Sequence, residues 1–172
     1  MLRPFAVALR LLLVGLPLAA GAEDLSSRRD YSDPAQRDLP IACKQGDIEK
    51  FPGKSLGDVF GADWPAQPVV SKDGAHSSAT VVERGPMRWP RGMDPQHSFT
   101  VVAVLIDANG KPLRAEILCT TRLGFDAAVK RHAMASTYAP AHVDGKPITS
   151  ALVRVVSFRA AQADFTPKPR SR

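Results

Sequence analysis

The chain has little of what most chemistry needs. It holds two cysteines, Cys43 and Cys119, and four histidines, His76, His97, His132 and His142, with no ligand spacing among them. A zinc framework draws on closely spaced pairs, so none is expected, and no other cofactor is implied. Aromatic residues make up 6% and no basic run is interleaved with them, which argues against a nucleic-acid partner. After residue 22 no apolar run approaches the roughly 20 residues of a membrane span.

The one greasy run lies at the start. Arg3 and Arg10 flank or enter the stretch Leu11 to Ala20, which carries Gly15 and Pro17 and closes on Ala20-Gly21-Ala22. Too short to span, it has the layout of a signal peptide over residues 1–22, cleaved near Ala22. The expected location is the periplasm. Without Arg3 and Arg10 the net charge falls from +6 to +4, too mild an excess to imply an anionic partner. Arg84, Arg88 and Arg91, and likewise Lys130, Arg131 and His132, read as solvated faces. In an oxidising compartment an even pair of cysteines is expected to bridge, so Cys43 and Cys119 are a candidate disulfide, worth about 4.5 kcal/mol in the chain-entropy model.

Length and composition suit one α+β domain. Residues 23–42 are polar, broken by Pro34 and Pro40, and read as a flexible arm. Residues 43–98 are dense in proline and glycine and read as an irregular segment packed on the core. Within it, Ser55 to Asp58 fits a capping box opening a brief helix through Phe60. Val69-Val70 and Ala79 to Val82 are strand candidates, and Trp64-Pro65 and Trp89-Pro90 suit rings laid over a sheet or helix edge.

Gly53-Lys54-Ser55-Leu56-Gly57 satisfies the Gly-x-Ser-x-Gly pattern of a nucleophile elbow, but the polar stretch before it is no buried strand. No enzyme is therefore expected. A small serine hydrolase using Ser55 with His132 or His142 is the alternative from another class.

Residues 99–159 carry the periodic signal. Phe99 to Ile106 is apolar on both faces, as a central strand is, and Asp107-Ala108-Asn109-Gly110 supplies a tight turn. Leu113 to Cys119 alternates, with Leu113, Ala115, Ile117 and Cys119 inward and Arg114, Glu116 and Leu118 outward. Phe125, Ala128, Val129, His132, Ala133 and Ser136 then recur at helical spacing. His132 on that stripe reads as a hydrogen-bonded, half-buried residue. Asp144-Gly145 makes a second turn, Ile148 to Phe158 the last and longest strand, and 160–172 a disordered tail.

Asp107-Ala108-Asn109-Gly110-Lys111, Phe125-Asp126-Ala127-Ala128-Val129, Tyr138-Ala139-Pro140-Ala141, Asp144-Gly145-Lys146-Pro147 and Val153 to Phe158 occur in a familiar order. Together, over about residues 86–159, they resemble the TonB C-terminal domain family, and Arg88-Trp89-Pro90 is similar to the aromatic-proline pair that often opens it. Ser136 stands where that family usually has tryptophan, and Lys130 where a helix leucine is usual. The resemblance implies a ββαβ core, an antiparallel sheet packed on one helix. It also implies binding of an envelope or outer-membrane transport protein by strand addition along the last strand. Alternate residues Ile148, Ser150, Leu152, Arg154 and Val156 are the candidate partner-binding set, and a homodimer through the same strand is a further expectation. Family members that transduce energy keep a polar-marked membrane helix and a long proline-rich spacer. Neither pattern is present here, so an anchored transducer is the alternative and a passive accessory module the leading expectation.

Overall fold

The computed structural model describes residues 25–69 and 74–159. The expected signal peptide, Val70 and the tail lie outside the described residues. In chain order the elements are β1 (Ile48–Glu49), α1 (Leu56–Phe60), β2 (His76–Ser77), β3 (Thr80–Glu83), β4 (Ser98–Ile106), β5 (Pro112–Thr120), α2 (Asp126–Met134), β6 (Thr137–Ala139), β7 (Ala141–Val143), β8 (Lys146–Ile148) and β9 (Ser150–Phe158). They build an α+β fold around an antiparallel sheet of order β1-β5-β4-β9. Small sheets β2-β7-β8 and β3-β6 flank it. None of the described helices is long and apolar enough to cross a membrane.

β4 is apolar on both faces because both faces are covered. Val102, Val104 and Ile106 meet the helix side, where Phe125, Ala128, Val129 and Ala133 of the α2 stripe complete a core with Ile117, Val156 and Phe158. Ala103 and Leu105 meet the opposite side, where Tyr31, Ile41, Leu56, Val59 and Phe60 lie over Leu118, Ala151 and Val153. Leu56, Val59 and Phe60 of this cover come from the 43–98 segment, which the sequence placed against the core, whereas Tyr31 and Ile41 come from the stretch before it. Residues 25–42, read as a flexible arm, are packed instead. Tyr31 and Ile41 are buried, and Arg37 is only 3% exposed. Its guanidinium donates to Pro65 O at 2.6 Å and lies 4.9 Å from the Trp64 ring centroid. A charge sinks here because carbonyls and an aromatic face replace its water.

The pairing of β4 with β5 explains a second correction. Val101 opposes Cys119 while Val102 opposes Ile117, so Leu118 is the extra residue of a bulge. Leu118 and Cys119 both enter the second core, whereas strict alternation would turn Leu118 to water. Leu113, expected inward, is 47% exposed at the far end of the strand. The Cys43–Cys119 disulfide, whose ends are separated by 76 in sequence, ties the N-terminal cover to that bulge.

Local chemistry sets the remaining junctions. Asp107 Oδ1 accepts from the amides of Asn109 and Lys111, and Gly110 alone in that turn takes positive φ, at 81°. A side chain at Gly110 would also collide with Tyr138 O. Ser55 caps α1 as its spacing predicts: its hydroxyl accepts from Asp58 N, and the Asp58 carboxylate accepts from Ser55 N. On α2, Lys130 reaches Glu116 of β5 at 2.6 Å and so fastens helix to sheet.

The expected strand Ile148 to Phe158 is two strands. β8 pairs with β7 across the Asp144-Gly145 turn, whereas β9 starts at Ser150 and pairs with β4. Ile148 thus belongs to the smaller sheet, and the chain changes sheets at Thr149. Both pieces are extended, so residue type carries no mark of the switch.

Candidate functional site: the outer edge of β9

β9 has β4 on one side and, among the described residues, no strand on the other. Its two halves differ. At the first half, residues 26–31 pack over the strand: Tyr31 joins Ala151 and Val153 in the second core, and Ser150 Oγ donates to Tyr31 O at 2.9 Å. At the second half, Arg154 and Ser157 are half-buried and Val155 is exposed. Of the sequence-predicted set, Ser150 and Val156 are buried, Ile148 lies on β8, and only Leu152 and Arg154 on β9 keep partial exposure.

Because side chains alternate along a strand, the open half presents two different recesses, one on each face. On the helix side Arg154 stands opposite Val102 in register, and with Arg84, Gly85, His132 and Arg159 it borders a pocket of about 500 Å³. On the other side Val155 stands opposite Val101, and these two with Phe99, Cys43 and Leu25 line the apolar part of a recess of about 410 Å³ that Lys44, Gln45 and Asp47 also border. Phe99 is 50% exposed there. The sequence reading placed Phe99 in a doubly covered strand. The cover formed by Tyr31, Ile41 and α1 stops short of that end of the sheet, and nothing in the order of residues announces where it stops.

The helix-side pocket is built by a close crossing. Residues 84–87 run across the end of α2, where Gly85 N donates to Ser136 Oγ and Ser136 Oγ donates to His132 O. A Cβ at Gly85 would sit 2.7 Å from His132 O and from the Ala135 carbonyl carbon, so glycine is what allows the approach. Ser136, small where a tryptophan would be usual in the resembled family, makes room for the same crossing. His132 Nδ1 lies 2.8 Å from Gly85 O, which fixes the hydrogen on that nitrogen. Burial pushes the His132 pKa below the ordinary imidazole value. The Gly85 bond opposes that shift, and the charges of Arg154 and Arg84 add to it. Arg154 Nη1 is buried with no hydrogen-bond partner. Burial lowers the Arg154 pKa as well; Tyr138 opposes this and Arg84 reinforces it.

The structure does not bring Ser55 to a histidine. Its hydroxyl bonds to Asp58 within the cap at 2.9 Å, and α1 covers the sheet face opposite the one that His132 adjoins. His142 sits on β7, paired with Ser77 and Pro147. Among the described residues no three His, Cys, Asp or Glu side chains gather as metal ligands do. Lys130, Arg131 and His132 do not form one solvated face either: Lys130 is paired, His132 is buried, and only Arg131 is exposed.

No family model, no curated protein and no solved structure matches this chain.

Proposed function

We propose that this chain is an exported, non-catalytic binding module of the cell envelope, similar to a TonB C-terminal domain. In this reading it takes an extended segment of an envelope or outer-membrane transport protein along the outer edge of β9. Strand addition draws affinity from backbone hydrogen bonds and specificity from side chains that enter recesses on alternate faces. The observation that carries the reading is the open half of β9 from Arg154 to Phe158, with a cationic recess on one face and a mainly apolar one on the other. The Cys43–Cys119 bridge is compatible with an oxidising, extracytoplasmic setting, of which the periplasm is the proposed instance.

Photo-crosslinking side chains at Val155 and Ser157, with exposed Leu123 as the control position, test this in envelope preparations. Adducts with a defined envelope protein at the first two positions and none at Leu123 are expected. Equal labelling at all three overturns the reading, and adducts solely with a second copy of the chain replace it with a homodimer. The intact mass of the extracted protein separates an exported module, starting near Glu23, from an anchored transducer that keeps residues 1–22.

A further inference from the structure

The cations of this molecule fall into two groups. Most that pack against the fold have an acid: Lys50 with Asp126, Arg37 with Asp38, and Arg114 and Lys130 together on Glu116. At the helix-side pocket, by contrast, Arg84, Arg154 and Arg159 converge without one. No described carboxylate lies within ion-pair distance of any of the three, and the charged or ionisable groups that act on Arg154 are Tyr138 and Arg84. Part of the half-buried Arg154 guanidinium is already out of water, its Nη1 enclosed and unbonded. A desolvated guanidinium beside two like charges is unfavourable until an anion reaches it, and its planar fork suits a carboxylate taken through two parallel hydrogen bonds.

We infer that this pocket receives the carboxylate of an acidic side chain, carried by an extended peptide paired with the outer edge of β9. The next residue of that peptide enters the apolar recess at Phe99, Val101 and Val155. The inference rests on the strand-addition reading and adds the chemistry of the partner to it. A residue paired across from Arg154 on an added strand has its Cβ about 5 Å from that of Arg154, within reach of a Glu or Asp. Its neighbour in sequence necessarily points to the other face, where Phe99, Val101 and Val155 form the apolar part of the lining and Lys44 and Asp47 lie at its polar part. The preferred ligand is therefore a strand that alternates acidic with apolar side chains at the position of Arg154 and Val155. Pairing is confined to this half, since Tyr31 and its neighbours pack against the other half of β9.

The test uses the full secreted chain, isotopically labelled, and short peptides of alternating threonine and valine with one central glutamate, glutamine or lysine. Binding is followed through the β9 amides and the arginine side-chain signals, and acetate is titrated separately. The glutamate peptide is expected to bind about tenfold more tightly than the glutamine one, the scale of a charge-assisted hydrogen bond. That advantage should shrink with added salt and fall by part in Arg84→Gln, which leaves the Arg154 fork in place. Arg154→Lys, which keeps the charge but loses the fork, should retain part of it, so a misfolded Arg154 variant is not needed. Equal binding of the glutamate and glutamine peptides, with β9 amides shifting, overturns the inference and leaves edge pairing standing. If no peptide moves the β9 amides, edge pairing fails and the peptide ligand with it. Acetate shifting the Arg154 signal would then leave an isolated oxyanion pocket, and no response to acetate would remove that too.

Discussion

The two faces of the central sheet are covered by different means. The helix face is closed by one regular element whose buried residues, Phe125, Ala128, Val129, His132 and Ala133, come round every three or four positions. The opposite face is closed by some forty residues of irregular chain, of which Tyr31, Ile41, Leu56, Val59 and Phe60 reach the core at no fixed interval. A helix can rely on its own backbone bonds while it packs. An irregular cover has few of these, so it needs fastening from outside: the disulfide to Cys119, the Arg37 bonds to Pro65 and Ala66, and the Ser55 cap. The same sheet therefore carries one side that is stable through periodicity and one that is stable through cross-links.

That contrast can be broken from the helix side first. Phe125 is fully buried, with ring centroids 5.6 Å from Trp89 and 4.7 Å from Phe158. Phe125→Ala is expected to cost about 4 kcal/mol in urea unfolding, enough to unfold a marginal domain. Next in size, replacing Cys43 and Cys119 together by serine should cost about 3 kcal/mol. Hydrogen exchange should then rise across residues 25–64 while β4 and α2 stay protected. Uniform loss of protection would mean that the two faces fold as one unit. Ser55→Ala removes the cap of α1 and is expected to cost about 1 kcal/mol with little change on the helix face.

Two smaller effects depend on charge. His132 is neutral in the folded chain and its pKa lies below the unfolded value of about 6.5, so the unfolded chain takes up the proton first. Stability from this residue is complete above pH about 6.5 and declines as the pH falls from there toward the lower folded value. His132→Asn, which can keep the bond to Gly85 O, should flatten that part of a pH–stability curve. Smallest of all, Glu116→Gln loses the Lys130 and Arg114 pairs, half in solvent, for under about 1 kcal/mol. Burial raises the Glu116 pKa, but the two cations outweigh it and hold it below the ordinary value. The loss should accordingly be present above pH about 4.5 and fade as the pH falls through the folded value.

The helix face was legible in the sequence because period and burial coincide there. β4, the α2 stripe and the inward, hydrogen-bonded His132 follow from residue spacing, although His132 is buried rather than half-buried, and the Ser55 cap and the turn at Gly110 follow from residue type. The other face was not legible, for three separate reasons. Tyr31, Arg37 and Ile41 are set among polar residues and prolines, so nothing in their neighbourhood marks them as buried. The bulge at Leu118 shifts alternation by one residue, which pairing with β4 decides and composition does not. At Thr149 the chain passes between sheets without ceasing to be extended. The candidate site was half legible. Arg154 is on the expected strand, but its grouping with Arg84 and Arg159 needs the crossing over α2 that Gly85 and Ser136 permit.

The Cys43–Cys119 cross-link also imposes an order in time. A chain made or translocated from its N-terminus presents Cys43 well before Cys119, at a sequence separation of 76. During that interval the thiol has no lawful partner, and the stretch it is to anchor waits beside an unfinished sheet. Closure of that side must come after β5 has emerged and taken its bulged register against β4. Until an oxidant seals it, the apolar floor at Ala103, Leu105 and Leu118 is the surface most open to a wrong neighbour. Yield of the correctly assembled protein should accordingly follow the oxidising capacity of the compartment more closely than it follows temperature.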